Sequence, residues 1–365
     1  MSNHDRIEQI DVWRFLAIAL VIFSHIVKFS HSWYKDFVPG LVWRAQPLGA
    51  LGVQLFFCIS GFVICRGMLK ESAKNGTVNL HAFYIRRAFR ILPPLLLYIA
   101  ALMLLSLGGA VEVKATQILP AIGFSCNLSV IDCGWLLGHT WSLAFEEQFY
   151  LVFPLLFLAA ALATQRNRLL TIALAMLITS AIARLTGHDG IGYFVSTFSY
   201  MVWGCVFALY WDKLQPLLAK VPFPLWLLTA VALPGVHVIA MPAIFQQVIY
   251  PAIAPLAICI AIFGTPAHHA IARPVFANAW FAYLGRISYS IYLWQQLATG
   301  NLELSSPVFA WLFVPCVLLV AHLSFRYVEM PMITMGAKFA ARSRTLAPMT
   351  FDDPLAPRND TFWRS

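Results

Sequence analysis

Charge is scarce in this chain. Only 11% of its 365 residues are Asp, Glu, Lys or Arg, and no long polar stretch interrupts the apolar ones. Soluble domains carry about 25%. A soluble catalytic domain therefore has no room within the sequence. Cysteines number seven, too few for a disulfide scaffold. Five of them, Cys58, Cys65, Cys205, Cys259 and Cys316, lie in apolar runs and read as small core residues. There is no periodic repeat. No grouping has metal-ligand spacing: His268 and His269 are adjacent with no carboxylate nearby, so no metal is expected. No small-residue cleavage site follows the first apolar segment, which is long enough to remain as a membrane helix.

Apolar residues fill the rest. They make up 60% of the chain, and the mean hydropathy is +0.73. The fold class this predicts is all-α: a polytopic membrane helix bundle. A span needs about 20 apolar residues. The runs that qualify are 11–29, 48–68, 91–110, 141–163, 169–186, 192–211, 223–241, 246–265, 278–298 and 307–325, so about ten transmembrane helices are expected. The run at 278–298 is the weakest, because it carries Arg286 and several polar residues; Pro234-Gly235 predicts a kink in 223–241.

The net charge of +9 does not point to nucleic acid, because the basic residues sort by loop. With both termini cytoplasmic, 18 of the 25 Lys and Arg fall inside and five outside, as the positive-inside rule requires. Residues 1–335 then form an integral membrane domain and 336–365 a cytoplasmic basic tail, expected to be disordered. Cys126 and Cys133 share the third loop, on the outer side, where a disulfide and two separate thiols are both open readings.

Three polar features stand out in this background. Arg14 and His25 lie eleven residues apart in the first span, three turns with about 20° of drift, so they share one face. Asp11 precedes Arg14 on that face and is placed to hold it. Ionisable groups inside a span should face protein or water and suggest function. The second feature is F-Y-I-R-R-A-F-R-I-L-P-P, Phe83 to Pro94. Arg86 and Arg90 share a helix face and Arg87 points to one side; three guanidiniums at the mouth of a span suit phosphates, or anionic lipid heads. The third is Glu146-Glu147, well inside an apolar run. At least one of the two needs a buried cation or a proton, with Arg14, Arg286 and His25 as available partners. By depth, Glu147 and His25 both fall in the outer half of the membrane and can meet. His139 and Trp141 sit nearer the outer surface, and His139 reads as a satisfied interfacial residue. Ser60-Gly61 and Ser288-Tyr289 read as packing elements.

Taken in order, these segments resemble the membrane-bound acyltransferase-3 family of O-acyltransferases. That family opens with an Arg, ten residues and a His, as Arg14 and His25 stand here. G-V-Q-L-F-F-C-I-S-G-F (Gly52 to Phe62), Arg86-x-x-x-Arg90 with I-L-P-P, H-T-W-S-L-A-F-E-E-Q-F-Y (His139 to Tyr150), L-G-R-I-S-Y-S-I-Y-L-W (Leu284 to Trp294) and Glu329-Met330-Pro331 follow. Gln54 stands where the family often has Asp. Gln295 and Gln296 stand where many members have His, so no late catalytic His carries over. The chain looks like a member without a fused esterase-like domain.

The resemblance implies transfer of an acyl group, most often acetyl, from cytoplasmic acyl-CoA to a hydroxyl of a glycan or lipid-linked saccharide, such as a surface polysaccharide or lipopolysaccharide O-antigen. It implies a multi-pass protein of the cell inner membrane, in contact with lipids. The site expected from it has His25 as base or nucleophile, with Glu146 or Glu147 orienting the imidazole or closing a buried ion pair. Arg14, Arg86, Arg87 and Arg90 hold the donor; Asp11, Ser60, Trp141 and Arg286 support. The rival readings are a transporter or flippase and an acyltransferase for a small natural product.

Overall fold

The structure is a computed structural model that describes residues 8–29, 47–162, 164–239, 241–299 and 307–344. The first outer loop, with Lys35 and Arg44, and residues 345–365 of the expected tail lie outside the described residues. Those described form helices and no strand. Backbone groups in lipid must be satisfied internally, which a helix does within one segment.

The chain enters through α1 (Glu8–Phe29), returns through α2 (Leu48–Asn75) and rises again in α3 (Leu80–Leu107). Local signals set the turn between α2 and α3. Gly76 closes α2 in the left-handed region, at φ 75°, and the Asn79 side chain accepts from Ala82 N–H to start α3. Short α4 (Ala115–Ile122) and α5 (Gly134–Gly138) lead into α6 (Thr140–Ala159). Between α4 and α5, Cys126 and Cys133 form a disulfide. Next come α7 (Arg166–Leu185), α8 (Asp189–Leu209), α9 (Trp211–Leu218), α10 (Phe223–Val238), a π-helical turn at Phe245–Ile249 and α11 (Tyr250–Phe263). The short α12 (Arg273–Phe276), α13 (Ala279–Arg286) and α14 (Ser288–Thr299) precede one long final helix. That helix comprises α15 (Pro307–Ser324), a π-helical turn at Phe325–Glu329 and α16 (Met330–Arg344), so it runs past the boundary expected at 335.

Eight helical segments among the described residues are long and apolar enough to cross a membrane, or nine if α9 and α10, bent by 107°, count as one. Ten were expected. The difference lies in two places. The expected span 223–241 is the 16-residue α10, folded back against α9. The expected span 278–298 is broken at Ile287 into α13 and α14, neither long enough alone. The break follows from what α14 carries: Ser288, Ser290, Gln295, Gln296 and Thr299 are all buried against protein rather than turned to lipid. Lipid-side faces are apolar instead, as with Leu151 and Leu155 on α6 and Ile178 and Ile182 on α7, all exposed. The chain is thus a multi-pass membrane protein.

At the centre, α2 packs on α8 almost backbone to backbone. A Cβ at Gly61 would come 1.9 Å from the Met201 carbonyl oxygen, and one at Gly204 2.1 Å from that of Cys58. Small residues at such a crossing permit the close approach that membrane helices rely on. Ser60, one residue before Gly61, is thereby held against the interior.

Candidate active site

Three cavities meet around α2. The first, of about 150 Å³, is lined by Arg14 of α1, Ser60 of α2, Arg87 and Arg90 of α3, Glu146 and Tyr150 of α6 and Tyr292 of α14. The second, of about 290 Å³, is lined by His25 of α1, Trp135 of α5, His139, Trp141 and again Tyr292. Val53 and Tyr292 belong to both walls, so the cavities adjoin. The face shared by Arg14 and His25 therefore looks into one and then the other, about 16 Å apart along α1. The third cavity adjoins the second through Ala50, Val53 and Trp141.

The cationic cavity sorts its guanidiniums. Arg87 is committed to carboxylates. Its Nε and Nη2 lie 3.0 and 2.9 Å from Glu147 Oε1, and Nη2 lies 3.7 Å from Glu146 Oε2. The same guanidinium sits 3.6 Å over the Tyr150 ring. Glu146 also accepts from Ser60 Oγ at 2.8 Å. The acidic pair thus closes a buried ion pair. Its cation is Arg87, not Arg14, Arg286 or His25. Ser60, read from sequence as packing, is a direct partner of that pair. Arg86 leaves the cavity for Glu71, at 3.2 Å. Arg14 and Arg90 face the cavity with no carboxylate within ion-pairing distance among the described residues. Arg90 lies in the field of Arg14, Glu329 and Arg87. Arg14 of α1 and Arg90 of α3 are therefore the guanidiniums of this cavity left without an ion-paired carboxylate among the described residues, whereas Arg86 and Arg87 are engaged. Asp11 does not ion-pair with Arg14; its backbone is where α13 packs, and a Cβ at Gly285 would meet the Asp11 carbonyl oxygen. Arg286, at the end of α13, lies against Tyr283 and outside all three cavities.

His25 is oriented by a relay that sequence could not give. The Trp135 backbone carbonyl can only accept, so Gln296 Nε2 donates to it, at 2.8 Å. That amide then turns its Oε1 to accept from Gln295 Nε2 at 2.9 Å. Gln295 in turn presents Oε1 to His25 Nδ1 at 3.0 Å. An amide oxygen accepts, so His25 carries a proton on Nδ1, and in the neutral imidazole the lone pair is then on Nε2. Thr299 Oγ1 also donates to Gln295 Oε1, at 3.3 Å, and the Trp135 ring meets the imidazole edge-on at 5.4 Å. Gln295, itself held by Gln296, thus sets the tautomer of His25.

His139 is the second departure. It is buried, and neither ring nitrogen has a well-formed hydrogen bond among the described residues. Its ring lies between Tyr98 and Tyr292, with centroids 5.6 and 5.3 Å away. The Tyr292 hydroxyl donates to the His139 carbonyl at 2.7 Å, so Ser142 Oγ donates to Tyr292 across 2.6 Å. His139 therefore shares the cavity of His25 and is not the satisfied interfacial residue expected. Trp141, beside it, packs on Phe57 and Phe145. Glu329 is the last addition. It is fully buried, sits in the π-helical turn of the final helix and accepts from Ser290 Oγ at 2.9 Å. Single π turns inside α-helices occur often at functional sites. The Glu-x-Pro motif was the one sequence signal for it.

The sequence profile of a family described as an acyltransferase domain matches residues 7–324. The peptidoglycan O-acetyltransferase OatA of Listeria monocytogenes is 29% identical, over 90% of this chain and 56% of that protein. A Bacillus subtilis protein named "Putative peptidoglycan O-acetyltransferase YrhL" is 25% identical, over 93% of this chain and 57% of its own length. The chain spans a little over half the length of these curated relatives. No solved structure matches it.

Proposed function

Because the chain belongs to the acyltransferase family whose profile covers residues 7–324, we propose that it moves an acyl group, acetyl as in its relatives' names, from acyl-CoA to a hydroxyl of a cell-surface glycan. The observation that carries this reading is the oriented His25 in a cavity that adjoins the Arg14–Arg90 cavity. The phosphates of the donor bind at Arg14 and Arg90, which have no carboxylate within ion-pairing distance among the described residues. The thioester arm runs along the α1 face towards His25. There, Nε2 takes the proton of the acceptor hydroxyl as its oxygen attacks the thioester carbonyl. The new C–O bond forms, the C–S bond breaks, and the CoA thiolate leaves with the proton His25 held. Gln295 stabilises the imidazolium through its Oε1. His25 acts as a base in this reading, because a fixed Nδ1 proton and an Nε2 lone pair are what a base needs. Arg87, Glu146 and Glu147 hold α3 to α6 and keep the cavity open. The basic end of the bundle is cytoplasmic and the His25 end is outside, which also sets the Cys126–Cys133 loop in the oxidising compartment a disulfide requires.

The experiment uses the full chain purified in detergent, with acetyl-CoA labelled in the acetyl group and a soluble peptidoglycan fragment as acceptor. Label should appear in the fragment with wild-type protein and not with H25A. A transporter would move no label in detergent. Turnover retained in H25A would remove His25 from the chemistry.

A further inference from the structure

The third cavity has no part in the chemistry above. It holds about 290 Å³ and opens where α7 and α10 end and α2, α8 and α11 begin. That is the same end of the bundle as His25, and Ala50, Val53 and Trp141 separate it from the His25 cavity.

Its wall carries one fixed positive charge and several hydrogen-bonding groups. Arg184 is the one permanently charged side chain lining it among the described residues. No carboxylate there ion-pairs with Arg184. Its Nη2 donates to Ser196 Oγ at 3.3 Å, and its Nε is buried without a partner among the described residues. Among the described residues this part-buried cation has no carboxylate at ion-pairing distance. Around it stand groups that exchange hydrogen bonds. The Tyr250 hydroxyl donates to Gln54 Oε1 at 3.1 Å, so His237 Nε2 donates to Tyr250 across 2.9 Å. Tyr193, Tyr200 and Trp141 supply aromatic faces. A few placed polar groups on an aromatic lining are the common make-up of a small-molecule site. Gln54 matters through its neutrality: a carboxylate at that position would sit in the same cavity as Arg184 and cancel its charge.

Resting on the acyltransferase reading above, we infer that this cavity is the acceptor subsite, and that it selects a saccharide ring bearing a carboxylate or phosphate. The anion meets Arg184, the ring lies on the tyrosine faces, and the reacting hydroxyl passes Trp141 to reach His25. A neutral sugar would leave Arg184 without a counter-charge.

The test is direct binding, which needs no turnover and so stands or falls apart from the transfer assay. The full chain in phosphatidylcholine nanodiscs is titrated with N-acetylglucosamine, N-acetylmuramic acid and N-acetylglucosamine 1-phosphate. These share one ring and carry no charge, a carboxylate and a phosphate respectively, so the stronger of the last two identifies the anion. At least one charged probe should bind roughly tenfold more tightly than the neutral one, the ratio one charge-assisted hydrogen bond supplies. R184Q should bring the probes within about twofold of each other. Q54E, isosteric with Gln, keeps an Oε acceptor for Tyr250 and adds a negative charge, and should also reduce the preference. Equal binding of all three probes to the wild type, no binding of any, or a preference that survives both substitutions would overturn the inference.

Discussion

Replacing Arg87 by Ala should destabilise the protein more than any other single change in the cationic cavity. Arg87 is 17% exposed, Glu147 14% and Glu146 17%, so all three charges are largely withdrawn from solvent. Removing one member of such a group leaves the others uncompensated, at a cost of about 3–5 kcal/mol. The Tyr150 ring adds a cation–π contact of about 0.5–2 kcal/mol, also lost. Residual exposure places the total near the lower end, ~3 kcal/mol. R87M with E146Q and E147Q carries no charge to strand and should recover most of that stability. The assay is the apparent unfolding temperature of each full-length variant in one detergent at one salt concentration. R87A should fall well below the wild type and the triple variant should lie between them. If R87A unfolds within a degree or so of the wild type, the ion pair is not closed in the folded protein. Arg87 would then return to the donor-binding set that the sequence suggested.

The donor site makes a separate claim: R90A should raise the KM for acyl-CoA, while R86A, whose partner is Glu71, should leave it within about twofold; the reverse order would restore the single-face arrangement. Q295L, close in volume but unable to accept from His25, should lower kcat with little change in donor KM and alter the pH profile of kcat, because the Nδ1 proton and the imidazolium lose their acceptor. Unchanged kcat in Q295L would mean that the relay is only structural.

Periodicity made the main features legible. Eleven residues at 3.6 per turn predict that Arg14 and His25 share a face, and the two cavities along α1 lie on it. Burial logic foretold that Glu146-Glu147 needs a cation, but Arg87 stands sixty residues earlier in the chain, and only packing of α3 on α6 selects it over Arg14. Arg86 and Arg90 share a face by spacing, yet Glu71 draws Arg86 away. Gln295 was noted for what it is not. Its role depends on a relay that begins at a backbone carbonyl, Trp135, which leaves no mark on the sequence. The break at Ile287 was hidden for a related reason: a polar helix facing a site and a weak span read alike in hydropathy. His139 was misjudged because an interfacial His usually finds a partner, whereas here two tyrosine rings surround it.

The central claim is that one face of α1 joins a donor site at the basic end of the bundle to an acceptor site at the other. Sealed vesicles test it most directly. The wild-type protein is reconstituted with a soluble peptidoglycan fragment trapped inside, and acetyl-labelled acetyl-CoA is added outside. The account predicts label on the trapped fragment, carried by the molecules whose basic end faces out, and none with H25A. Label that appears only when donor and acceptor share a compartment would contradict it.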